Sequence, residues 1–119
     1  MPVEETKPAE ARLVTRKDGT FARTIRLWAK KAQGVPFLAD SFEWEFVGVK
    51  TLTEGHGLTV TPGREAEGDE PAIPTVITAY MSPTETAAIE ATQARHRLSW
   101  RRGEDKDFLL VGSILFEEP

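Results

Sequence analysis

Three observations predict a mainly β domain, read as a two-sheet antiparallel sandwich of about seven strands with one short helix near residues 83–93. The first is alternation: Phe42, Trp44 and Phe46 fall on one face of an extended segment and Glu43 and Glu45 on the other. The second is punctuation, because Asp-Gly, Gly-Val-Pro and Gly-Glu-Asp turn formers separate short β-prone runs. The third is that a helix start signal is clear at only one place, Ser82-Pro83-Thr84-Glu85.

Taken in order, residues 1–10 are polar and proline-containing and predict an extended N-terminal arm, with residues 11–119 forming a single domain. Leu13 and Val14 precede Lys17-Asp18-Gly19, where a first strand should turn. Phe21–Lys30 alternates, with Phe21, Ile25, Leu27 and Ala29 on one side and Thr24, Arg26, Trp28 and Lys30 on the other. Gln33-Gly34-Val35-Pro36 reads as a turn. The segment from Phe42 then reads as the strand that anchors the core, since each aromatic ring can bury roughly 150–250 Å².

Residues 58–61 give a short strand. Residues 62–74 carry prolines, glycines and the acidic side chains Glu65, Glu67, Asp69 and Glu70 with little to bury, so they predict a long acidic loop, a candidate contact arm. Thr75–Met81 alternates as a strand. At Ser82 a capping box is expected, Ser82 accepting from the Glu85 N–H and Glu85 reaching back, with Pro83 suited to the first helical position. Residues 95–102 and 108–117 predict the arms of a closing hairpin. In the last strand Phe108, Leu110, Gly112, Ile114 and Phe116 share a face. Leu109, Val111 and Leu115 lie on the other, which implies a central position or an oligomer contact.

With 119 residues the chain suits one core, and 39% hydrophobic with 29% charged residues is a globular composition. Having no cysteine, it forms no disulfide and offers no thiolate. The N-terminus lacks the apolar run of a secretory signal or membrane anchor, so cytoplasmic synthesis and no membrane partner are expected. Fifteen basic against nineteen acidic residues give a net charge of -4, which argues against a nucleic-acid partner. Alternation sets Arg95, Arg97 and Arg101 opposite His96, Leu98 and Trp100, as a solvated stripe.

Chemistry has little to build on. His56 and His96 have no partner at metal-ligand spacing, and Gly55-His56-Gly57 lacks the strand and capped helix of a phosphate loop. No nucleophile elbow occurs around Ser41, Ser82, Ser99 or Ser113, and the acidic loop matches no calcium-binding spacing. No catalytic residue, metal or cofactor is expected, and the protein is not read as an enzyme.

The order of motifs resembles a family. Asp18-Gly19-Thr20-Phe21, the alternating Thr24-Ile25-Arg26-Leu27, the Gln33-to-Leu38 turn, Ser82-Pro83-Thr84-Glu85-Thr86-Ala87-Ala88-Ile89 and Leu110-Val111-Gly112-Ser113-Ile114 are similar to tailed-phage virion proteins, such as the N-terminal domains of baseplate upper proteins. The entry departs in reading Asp-Gly for Gly-Asp, Leu38-Ala39-Asp40 replaces the usual Asp-Leu order, and the acidic loop is unmatched. The resemblance implies an immunoglobulin-like sandwich and a structural role in the tail tip or baseplate. The partners would be other virion proteins or further copies in a symmetric assembly. A capsid decoration or head-completion protein, or a carbohydrate-binding module using Trp28 or Trp100, are the alternatives. Trp28, Leu109, Val111 and Leu115 are the interface candidates.

Overall fold

The structure, a computed structural model, describes residues 8–119. Its strands in chain order are β1 (Ala9–Glu10), β2 (Leu13–Arg16), β3 (Phe21–Lys30), β4 (Val35–Pro36), β5 (Ser41–Phe46), β6 (Lys50–Glu54), β7 (Gly57–Thr61), β8 (Thr75–Met81), β9 (Gln93–Arg102) and β10 (Asp105–Glu117). A short helix, α1 (Pro83–Ala87), lies between β8 and β9. The strands pair in the order β1-β10-β9-β5-β6-β7-β8-β3-β4, and β2 also pairs with β10. The chain is mainly β, as its sequence predicts. The strands form one curled mixed sheet, a half-barrel, where two stacked antiparallel sheets were expected.

The curl has a local cause. Lys50–Glu54 has a single apolar residue and was not foreseen as a strand, yet it pairs with β5 and then passes directly into β7 through Gly55 and His56. The two strands touch only in a short parallel register, Thr53 with Gly57 and Glu54 with Leu58, so the link is a corner rather than a hairpin. Gly55 and Gly57 take φ of 83° and 101°, conformations that suit glycine. A Cβ on Gly57 would lie 2.6 Å from Leu52 Cδ2, inside the core. This corner hands the sheet from β5 to β8. Phe21 on β3 thereby meets Trp44 and Phe46 on β5 edge-on, at centroid distances of 6.2 and 5.7 Å, although β6, β7 and β8 lie between them in the sheet.

The aromatic strand anchors the interior as expected: Phe42, Trp44 and Phe46 are buried and Glu43 and Glu45 are partly exposed. Leu52, Leu58, Ile77, Leu98 and Ile114 close around them. Each edge-to-face aromatic pair adds about 0.5–1.5 kcal/mol beyond the area it buries. Thr75, also buried, accepts from Gly63 N–H and donates to Phe37 O, which fixes the base of the acidic loop and the segment after β4 to β8.

Both halves of the capping box form at Ser82 and Glu85, but the helix ends at Ala87 and does not reach residue 93. Ile89 turns into the core, and Phe116 N–H bonds Thr92 O, so docking on β10 claims residues that helical propensity alone would have kept. The acidic loop is more structured than its composition implies. Bridges between Arg64 and Ile73 and between Glu67 and Glu70, with an Arg64–Glu70 ion pair at 2.5 Å, make it an exposed two-stranded arm. Of the expected N-terminal arm, residues 1–7 lie outside the described residues; Ala9 and Glu10 pair in parallel with Leu110 and Val111.

Candidate functional site

Side-chain alternation along β10 is broken once. Its register against β9 shifts between Phe108 and Leu110, a β-bulge that sets Phe108 opposite Ser99 and Leu110 opposite Leu98. Phe108 therefore leaves the face that strict alternation has it share with Leu110 and joins Val111 and Leu115 on the outer face. Across the parallel ladder Val14 stands beside Leu115. Val14 and Leu115 are 43% and 37% exposed, and with half-buried Val111 and Phe108 they form an apolar strip along the outside of β2 and β10. Arg97 and Lys106 place their charges over the Phe108 ring, 5.6 and 6.0 Å from its centroid. Arg97 is also paired with Glu45 at 2.6 Å.

Of the four interface candidates, Val111 and Leu115 come together on this strip. Leu109 sits at the bulge and packs against the core, and Trp28 lies on β3 opposite Pro36, half-buried and remote in the sheet order. Val14 and Phe108 were missed. Val14 was legible as the outward neighbour of Leu13. Phe108 was not, because a bulge has no signature in the alternation it interrupts.

A second feature is an open seam. Among the described residues, β3 pairs with β8 from Phe21 to Leu27, and its other edge is covered only at Trp28 and Lys30, by β4. Among the described residues β2 pairs only with β10. A hairpin through residues 17–20 that set Arg16 against Phe21 would bring Val14 opposite Arg23. In place of such a ladder, the Arg23 guanidinium donates to Val14 O at 2.8 Å and lies 4.9 Å from the Phe21 ring centroid. A charge thus stands across two free strand edges, an arrangement that resists edge-to-edge pairing. The turn itself is tied down: Thr86 Oγ1 donates to Gly19 O at 2.6 Å, and Lys17 Nζ reaches Glu118 at 3.0 Å.

The third feature is buried. His96 is fully enclosed. Its Nδ1 accepts from Trp44 Nε1–H at 3.1 Å and its Nε2 lies 2.8 Å from Ala11 O. An indole N–H can only donate and a carbonyl can only accept, so both bonds form only in the neutral Nε2–H tautomer. Burial pushes the imidazole below its ordinary 6.5, and the bond to Ala11 opposes that in part. Lys17, Thr75, Thr86 and Ser99 are likewise bonded, and among the described residues no fully buried side-chain nitrogen or oxygen lacks a partner.

Among the described residues no group of three or more histidine, cysteine or acidic side chains is placed to hold a metal, and no helix is long and apolar enough to cross a membrane. A shallow cleft of about 430 Å³ lies between α1 and the β5–β6 turn, where Lys50 pairs with Glu85. Comparison with protein-family models, with curated proteins and with solved structures finds no match.

Proposed function

We propose that this domain is a structural component of a tailed-phage virion, in the tail tip or baseplate, and that it works through protein–protein contacts and not by catalysis. The observation that carries the assembly part is the outer strip of Val14, Phe108, Val111 and Leu115, apolar side chains left on the solvent side of an otherwise charged sheet face. The exposed acidic arm offers a further contact surface of the kind assemblies use. The virion setting rests on the order of sequence motifs. So does the immunoglobulin-like reading of the fold, in which the two arms of the curled sheet stand for the two sheets of a sandwich.

The paired substitutions Val111→Glu and Leu115→Glu test the reading. Both positions face outward, so the fold should survive, as circular dichroism would report. Association with the structural proteins encoded beside this chain, or with further copies, should weaken more than about tenfold, because an unpaired charge in a contact is costly. Undiminished association of the folded variant would remove the strip from the contact and with it the main support for the proposal.

A further inference from the structure

The N-terminal strand is attached to the sheet through β10, with Leu13 packed against the core and Val14 O held by Arg23. β1 and β2 lie on one edge of β10, pairing with Leu110–Val111 and with residues 114–117, and the ladder is interrupted between them at Ala11 and Arg12. At that gap Ala11 is held from both sides: its N–H donates to Val111 O at 2.9 Å and its carbonyl receives the His96 ring. The approach is close because residue 112 is glycine; a Cβ there would lie 2.9 Å from the Ala11 carbonyl carbon and 3.1 Å from His96 Nε2. Towards solvent, Ala11 and the bare backbone of Gly112 are therefore the cover over the imidazole. An open cleft lined by Glu10, Ala11, Arg12, Gly112 and Ser113 lies just outside.

We propose that His96 is a pH-sensitive latch on this strand: a second proton on the ring detaches residues 9–16 from β10 while the remainder of the sheet stays folded. Protonated His96 carries an N–H at Nδ1, which faces the Trp44 N–H and has no acceptor. Among the described residues no carboxylate compensates. Glu45 belongs to the outer face of β5 and is taken by Arg97; on the ring's own strand Arg95 and Arg97 also point outward. Glu10 and Arg12 on the N-terminal segment are exposed, and β10 has no charged residue from Val111 to Leu115. The shortest route to water for the charged ring is to displace Ala11, and beyond Ala11 the strand has no backbone ladder to β3 to hold it. The sign follows from the ring's depressed affinity for protons. The latch is fully closed above the ordinary 6.5 and weakens as pH falls through that value toward the lower one of the folded state. This inference is independent of the virion proposal.

Hydrogen exchange of the full chain, corrected for the intrinsic pH dependence of exchange, tests it between about pH 8 and about pH 5. Peptides covering residues 8–16 and 108–114 should lose protection by about tenfold per pH unit below the ordinary histidine value, the slope of a single proton taken up on opening. Peptides covering β5 and β8 should keep theirs. His96→Gln supplies an acceptor and a donor without titrating and should abolish the slope, whereas His56→Gln, altering the histidine of the β6–β7 corner, should leave it. Protection of residues 8–16 that stays constant with pH, or that is lost only together with β5 and β8, would overturn the proposal; the wild-type measurement decides this even if His96→Gln fails to fold.

Discussion

Substituting Gly112 by alanine tests the placement of the N-terminal strand more sharply than any core truncation. Gly112 takes φ of 155°, and the new methyl would fall 2.9 Å from the Ala11 carbonyl carbon and closer still to its oxygen, so the Ala11 segment must move. Movement breaks the Ala11 N–H to Val111 O bond and the His96 to Ala11 bond. Each bond is worth about 1 kcal/mol net, and the imidazole N–H left buried without an acceptor costs about 1–3 kcal/mol. The expected loss is about 3–5 kcal/mol in urea unfolding followed by tryptophan fluorescence. Gly48→Ala is the control, since that glycine also has a positive φ, 77°, but open space around it; it should cost only about 1–2 kcal/mol. A Gly112→Ala protein within about 0.5 kcal/mol of wild type would refute the parallel edge strand and the bond from His96.

Other consequences can be measured on the same material. Trp44→Phe removes the donor to His96 Nδ1 and leaves a gap beside Phe21 and Phe46, and should destabilise the fold by about 2–4 kcal/mol in the same assay. Ser82→Ala removes the helix cap and should cost about 1 kcal/mol. The Lys50 ammonium, and then the Ser82 N–H, lower the Glu85 carboxyl from 4.5 to about 2. That contribution is therefore complete above pH 4.5 and fades as pH falls toward about 2, and Lys50→Met should flatten this acid limb of the stability curve. Arg23→Ala uncovers the seam between β2 and β3 and should raise edge-to-edge self-association in light scattering while leaving circular dichroism unchanged.

Features set by neighbouring residues were legible in the sequence. The alternation of Phe42 to Phe46, the capping box at Ser82, the turns at Lys17-Asp18-Gly19 and Gly34, and the final hairpin all appear where their local chemistry places them. Features set by long-range pairing were not. The half-barrel arises from the Gly55–Gly57 corner, and a glycine pair does not say which strands it will bring together. Ala9 and Glu10 read as part of an extended arm, because their ladder partners Leu110 and Val111 lie at the other end of the chain. Of the outer strip, Val111 and Leu115 were found by alternation. Phe108 escaped because the bulge at Leu109 reverses its face, and the same bulge packs Leu109 against the core.

The central claim, that the domain acts by assembling with other chains, is tested most directly by the solution mass of the purified protein, alone and mixed with the structural proteins encoded beside it, measured by light scattering. A defined oligomer or a stoichiometric complex is expected, reduced when Val111 and Leu115 are replaced by glutamate. A monomer that engages none of those proteins at any concentration would contradict it.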